Sequence, residues 1–155
     1  MVGKRMWGAV AILSLVIGAE GSELQGQSLS ANRSADLERA ELLSEYAVQL
    51  ANWQGDFEQA SSLLREAAEL RGEDAEAVKA LIQAGHFAYY AGRELIAVSA
   101  LRSAGEVALA TGDTKTAAEA FLAAAWVAHG EGEIPTAREL FERGQSLAQA
   151  AQTVQ

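Results

Sequence analysis

Two histidines, His86 and His129, are the side chains of this 155-residue sequence that could bind a transition metal or act as a base near neutral pH. A metal site needs imidazole and oxygen ligands that close on one ion at about 2.0–2.2 Å. His129 is followed by Gly130 and Glu131, so no second ligand stands one helical turn further along the same face. The sequence therefore predicts no metal and no cofactor, and a small-molecule or metal binder that uses both histidines is kept as an alternative function.

The other groups that usually carry catalysis are missing or scattered. The sequence contains no cysteine, which excludes disulfides, thiolate metal sites and cysteine nucleophiles. No Gly-x-Ser-x-Gly turn, phosphate-binding loop or dinucleotide fingerprint occurs. The carboxylates are spread over the sequence, with no sign of the apolar setting that would raise the pKa of one of them. We therefore predict that the protein is not an enzyme.

The charge balance restricts the partners. The sequence has 21 acidic and 12 basic residues, a formal net charge of −9. Nucleic acids are bound by clustered lysines and arginines, which are absent here, so no nucleic-acid partner is expected. An acidic surface accommodates a basic or neutral protein instead.

A repeated phrase of small and bulky residues predicts the elements that must position these side chains. Each copy has a glycine, an alanine five residues later, a bulky apolar residue four after that, and a small residue three further on. Spacings of four and three lie on one helical stripe, and a glycine can end the preceding helix with a positive φ. The copies are Gly55-Ala60-Leu64-Ala67, Gly72-Ala77-Leu81-Ala84, Gly92-Ala97-Leu101-Ala104, Gly112-Ala117-Phe121-Ala124 and Gly132-Ala137-Phe141-Gly144.

These copies predict an all-α fold of about six helices. Asp56, Asp74 and Asp113 stand where a carboxylate can cap a first turn, and Pro135 falls inside a first turn that does not need its amide. The short turns make consecutive helices antiparallel. We expect hairpins stacked as a short solenoid, with a simple helical bundle as the alternative. The predicted helices are 37–53, 56–71, 74–91, 93–110, 113–130 and 134–150.

The repeat resembles that of tetratricopeptide repeat proteins, in which helix pairs stack into a right-handed superhelix. The resemblance covers 37–150 as three pairs, and its closest unit starts at Leu81 and continues through Gly85, Gly92 and Leu101 to Ala104. The sequence departs from the family phrase because no tryptophan opens a unit, the closing proline is missing, and the pairs repeat every 37 and 40 residues. We therefore expect a TPR-like stack.

Family geometry implies which side chains would line a concave groove. They lie two, three, six and ten positions before the loop glycine in the first helix of each pair. Large amphipathic side chains at these positions would suit a protein or peptide partner. The alternative is that Trp53, Tyr89 and Trp126 fill space between helices. The candidate partner-binding residues are Gln49, Asn52, Trp53, Ile82, His86, Tyr89, Tyr90, Leu122, Trp126 and His129.

The amino terminus is typical of a secretory signal. Lys4 and Arg5 precede an uncharged run, 6–19, which is shorter than the roughly 20 residues needed to span a bilayer. We predict a cleaved signal at 1–21, a flexible spacer at 22–35 and the repeat domain at 36–155, with no stable membrane insertion after cleavage. An uncleaved anchor or a buried apolar helix is the alternative.

Together these features predict an exported, periplasmic or secreted, non-enzymatic scaffold that binds a protein or peptide. A self-associating structural protein of the cell envelope is a second interpretation. In that case Leu140, Phe141 and Leu147 of the last helix would dock on the first helix of a neighbouring homo-oligomer subunit.

Overall fold

The computed structural model describes the backbone of residues 6–153 and the side chains of residues 28–152. The described backbone forms six α-helices and one π-helical turn, without a strand. This confirms the predicted all-α stack of helices. The elements are α1 (Met6–Gln49), the π-helical turn (Leu50–Gln54), α2 (Phe57–Arg71), α3 (Ala75–Tyr90), α4 (Glu94–Ala110), α5 (Thr114–Gly130) and α6 (Ile134–Thr153).

The chain divides into two compact units, Met1–Asp36 and Leu37–Gln155. In the first unit, residues 28–35 are helical and their side chains are exposed, whereas the sequence predicted a flexible spacer at 22–35. The helix continues because residues 28–35 contain neither glycine nor proline, and adding a residue to an existing helix costs little. The predicted signal segment, 1–21, lies outside the residues whose side chains the structure describes.

The turns of the second unit follow the predicted glycines. Gly55, Gly72, Gly92, Gly112 and Gly132 all have positive φ, which an L-amino acid with a Cβ atom adopts only at a cost. Three of the turns are alike at twenty-residue intervals. In each, the residue after the glycine donates its N–H to a carbonyl five positions earlier, as Asp113 does to Ala108 at 2.8 Å. This pattern is the Schellman motif, which ends one helix and starts the next within three residues.

The predicted aspartate caps are also present. Asp56, Asp74 and Asp113 accept the backbone N–H groups of Gln59, Ala77 and Thr116, respectively, at 2.7–3.0 Å. At Asp113 the Thr116 hydroxyl donates a second bond at 2.6 Å. The hydroxyl bond, followed by the amide bond, holds the pKa of Asp113 below its usual value. These caps explain why the observed helix starts lie close to those predicted.

Bulky residues of one helix pack against glycines of the helix before. A Cβ atom added to Gly85 would lie 2.6 Å from Leu101 Cγ, and one added to Gly105 would lie 2.8 Å from Phe121 Cζ. Leu101 and Phe121 are almost completely buried. Since no side chain separates the backbones here, α3 packs closely on α4, and α4 on α5.

Contacts between non-consecutive helices place α2, α4 and α6 side by side, and α3 beside α5. Arg93, at the start of α4, makes a bidentate pair with Glu58 of α2 at 3.0 and 3.1 Å. Arg143 of α6 pairs with Glu106 of α4. On the other side, a ring of α3 contacts a ring of α5, as described below. Within the described residues no helix combines the length and apolar character needed to span a bilayer.

Candidate binding surface

Five aromatic rings form a continuous row across α2, α3 and α5, which we call the aromatic row. Phe87 lies 5.8 Å from Phe57, Phe57 lies 5.6 Å from Tyr90, Tyr90 lies 6.1 Å from Tyr89, and Tyr89 lies 5.5 Å from Trp126, measured between ring centroids. All four pairs are tilted at 43–59°, within the range of favourable ring contacts. The row is therefore a preassembled surface.

The two ends of the row differ in burial. Phe57 and Phe87 are half-buried and pack against the alanine-rich core between the π-helical turn, α2 and α3. Tyr90 and Trp126 are each 65 % exposed, and Tyr89 is 39 % exposed. The buried end fixes the row on the fold, and the exposed end offers ring faces and edges to solvent.

The parts of α3 and α5 that carry the row have no formal charge, whereas Phe57 of α2 stands between Asp56 and Glu58. Residues 46–55, 80–92 and 120–130 contain no Asp, Glu, Lys or Arg, although 21 % of the whole sequence is charged. The first segment covers the end of α1, the π-helical turn and Gly55. The second covers the carboxyl-terminal part of α3 and the first residues of the turn after it, and the third covers the carboxyl-terminal part of α5. A partner that covers this surface therefore desolvates few charged groups, which removes a large cost of association.

A groove between α5 and α6 continues from Trp126, and we call it the end groove. Its volume is about 620 Å³, and its walls are mostly apolar. Ile134 and Phe141 are 45 % and 52 % exposed on its α6 side. Arg138 is the one basic residue with a permanent charge among its lining side chains. The lining residues are Leu122, Ala125, Trp126, His129, Ile134, Ala137, Arg138 and Phe141.

The predicted partner-binding residues fall into four groups. Tyr89, Tyr90 and Trp126 lie in the aromatic row, and Trp126, His129 and Leu122 line the end groove. Ile82 is half-buried against the core, and Leu122 also covers Gly144 of α6. The remaining predicted residues, Gln49, Asn52, Trp53 and His86, are exposed but belong to neither feature.

The exposure of the aromatic side chains bears on the alternative that they fill space between helices. Trp53 is 86 % exposed, and Trp126 and Tyr89 are exposed as stated above. The space-filling alternative therefore does not apply to Trp53, whereas the rings of Tyr89 and Trp126 contact each other between α3 and α5. In the described part of the chain, Trp53 makes no ring contact with the aromatic row, so it stands apart from Trp126.

The positions of the two histidines bear on the metal-binding alternative. Among the described residues, no group of three His, Asp or Glu side chains is arranged to hold an ion. His86 is exposed on α3, and His129 lines the end groove on α5. The geometry gives the metal-binding alternative no support.

The predicted partner-binding set left out the residues that the second helix of each pair contributes, of which Phe141 alone was named, for the self-association alternative. Phe57 begins α2, and Ile134 and Arg138 lie in the first turns of α6, whereas the family rule selects only residues near the ends of α1, α3 and α5. Because consecutive helices are antiparallel, the start of one lies beside the end of another. An apolar residue soon after a loop glycine, such as Phe57 after Gly55, was the available signal.

Comparisons with family models, with curated proteins and with solved structures found no match to this chain. The resemblance to tetratricopeptide repeats accordingly stays a prediction that rests on the repeated phrase.

Proposed function

We propose that this protein is a non-enzymatic helical-repeat module that binds a segment of another protein on the aromatic row. The observation that carries the proposal is the uninterrupted contact of five rings, three of them exposed, whose exposed members lie on segments of α3 and α5 without formal charge. Tyrosine and tryptophan bury a large area with few rotatable bonds, and they keep a polar group for hydrogen bonding.

The mechanism of binding is preorganisation. Phe57 and Phe87 anchor the row on the core, and Tyr89 and Trp126 support each other from α3 and α5. The receptor therefore loses little conformational freedom on binding, and most of the ordering cost falls on the partner. The best partner is a segment with apolar or aromatic side chains and free backbone hydrogen-bonding groups.

Screening the immobilised protein against a displayed peptide library tests this function. We expect enriched peptides whose binding falls in Tyr90→Ala and in Trp126→Ala. Leu95→Ala is the matched control, because Leu95 is a 72 % exposed apolar residue on α4 outside the row. Circular dichroism and a thermal transition check that each variant is folded. Unchanged peptide binding in both folded row variants would contradict the proposal.

The proposal includes export, on the basis of the basic residues and the uncharged run in the first 21 positions. A fusion of residues 1–35 to a reporter enzyme that is active only outside the cytoplasm measures this. We expect reporter activity, and we expect its loss when charged residues replace Leu13 and Leu15 in the uncharged run. An inactive wild-type fusion that accumulates in the cytoplasm would remove export from the proposal and leave the binding surface unaffected.

A further inference from the structure

The end groove, between α5 and α6, corresponds in the repeat to the surface between α4 and α5, which lies inside the stack. Twenty positions before Ala125, Trp126 and Phe141 stand Gly105, Glu106 and Phe121, which belong to α4 and α5. There α6 provides the cover, since the Arg143 guanidinium lies 4.2 Å from the centre of the Phe121 ring and pairs with Glu106. The end groove is thus the position at which another helix would continue the stack.

The phase of the repeat indicates which kind of helix fits there. The helix after α6 would take the place of an odd-numbered helix, like α5, which packs on α4 and contacts α3 through Trp126 and Tyr89. The second half of α1 has that phase. Its buried alanines correspond to those of α3 and α5 at steps of 37 and 40 residues. The buried sets are Ala40, Ala47 and Ala51; Ala77, Ala84 and Ala88; and Ala117, Ala124 and Ala128.

The outer side of α1 and of the π-helical turn that follows it carries an exposed apolar stripe. Leu42, Tyr46 and Trp53 are 62 %, 49 % and 86 % exposed, and they follow each other at steps of four and seven residues. A step of four lies on one side of an α-helix, so Leu42 and Tyr46 share a side, and Trp53 follows on the π-helical turn. We call these three residues the α1 stripe. In size and spacing it matches the side chains that a mostly apolar groove accepts.

Charge also favours this pairing. Arg138 is exposed at the end groove and has no ion pair among the described residues. Glu38 and Glu45 lie beside the α1 stripe, at four residues before and three residues after Leu42, and both are exposed. An attraction between Arg138 and these carboxylates opposes the general repulsion between two chains that each carry a net charge of −9.

We propose that the end groove binds the α1 stripe of a second copy of this chain, so that copies join head to tail as one continuing helical stack. The groove and the stripe are different surfaces of one molecule, so the contact is heterologous. A heterologous contact continues as a filament unless its rotation closes a ring. Trp126 belongs to both the aromatic row and the end groove, whereas Tyr90 lies outside the groove and Phe141 lies outside the row, so variants at Tyr90 and Phe141 distinguish this association from the proposed peptide binding.

Sedimentation velocity of the full chain over a wide concentration series tests the proposal. We expect the wild type to assemble beyond the dimer with rising concentration. Phe141→Glu and Tyr46→Glu should each weaken association by roughly tenfold or more, because each replaces an aromatic ring at the contact with a carboxylate that must lose its hydration. Leu95→Glu, an equally drastic change at a 72 % exposed residue on α4, should leave association unchanged. Ile134→Glu gives a second groove variant if Phe141→Glu fails to fold.

Mixing the two variants distinguishes head-to-tail association, of a groove with a stripe, from association of two like surfaces. The Phe141→Glu chain keeps its stripe and the Tyr46→Glu chain keeps its groove, so an equal mixture should form one-to-one dimers and nothing larger. A wild type that stays monomeric at every concentration would overturn the proposal. So would a Tyr46→Glu chain that dimerises as strongly as the wild type, because that result means that two grooves pair with each other. An equal loss in Leu95→Glu would mean non-specific association.

Discussion

Phe121 and Phe141 are the same residue type at the same position of the repeated phrase, yet one is fully buried and the other is 52 % exposed. Phe121 of α5 packs on Gly105 of α4 and is covered by Arg143 of α6. Phe141 of α6 lines the end groove. The difference lies in the number of helices on either side, since an interior helix is packed on both sides of its apolar stripe.

This contrast separates two uses of one sequence pattern. In the interior, the bulky residue stabilises the fold by removing apolar area from water and by filling the space over a glycine. At the end of the stack, the same residue leaves apolar area for a partner. A position that binds in a repeat protein can therefore look like a core position in the sequence, and only its place in the stack distinguishes the two.

The largest expected effect compares the two phenylalanines directly. Phe121→Ala should lower the free energy of unfolding by about 3–5 kcal/mol, because it opens a cavity between α4, α5 and α6. Phe141→Ala should lower it by about 1 kcal/mol or less, because the side chain is already half in water. Urea denaturation followed by circular dichroism measures both. Similar losses in the two variants would contradict the burial difference described above.

A smaller effect tests the close approach beneath Phe121. Gly105→Ala places a Cβ atom 2.8–2.9 Å from three carbons of the Phe121 ring, so the ring or the helices must shift. We expect a loss of about 1–2 kcal/mol after the better helix propensity of alanine is counted. Gly130→Ala, at a helical position with open space around the added atom, should be neutral or stabilising and serves as the matched control.

A double-mutant cycle gives the sharper result for this pair. In the Phe121→Ala background the ring is gone, so Gly105→Ala should fill part of the cavity and become stabilising. An additive combination of the two losses would mean that the ring does not press on Gly105.

The helix boundaries could be predicted because their signals are local. Gly112 and Asp113 occur together, and the positive φ and the carboxylate cap that they provide depend on neighbouring residues only. The spacing of the phrase likewise predicted the stripe that is packed in α2 to α5, but in α6 its bulky residue, Phe141, is exposed. The helix at 28–35 was not predicted, because its exposed polar side chains give no apolar period and the absence of helix-breaking residues is a weak signal.

The candidate site was predicted only in part, because it depends on contacts between distant residues. Tyr89, Tyr90 and Trp126 follow from their places near helix ends. The contact of Phe57 with both Phe87 and Tyr90 brings together α2 and α3 through ring orientations that no sequence spacing encodes. Trp53 satisfies the same family rule as Trp126 but lies outside the row.

The smallest expected effect concerns the turns that repeat along the stack. Asp113 caps α5 through its carboxylate, whereas Arg93 occupies the same position before α4 without a side-chain cap. Asp113→Ala should therefore cost about 1 kcal/mol. Arg93→Ala removes no cap and should lose only its exposed pair with Glu58, which makes it the matched control for the neighbouring turn.

The pH dependence of this cap has a definite sign. Hydrogen bonds from the hydroxyl and the amide of Thr116 hold the pKa of Asp113 below its usual value in the folded protein. The carboxylate therefore contributes its stability fully above the unfolded pKa, about 3.9, and loses it as the pH falls through the lower folded pKa. Asp113→Asn keeps a capping oxygen but cannot titrate, so the difference in unfolding free energy between wild type and Asp113→Asn should shrink as the pH falls from the unfolded pKa through the lower folded pKa. A difference that stays constant into strong acid would mean that the α5 cap is held by geometry alone, and that its charge adds nothing to the interior turn.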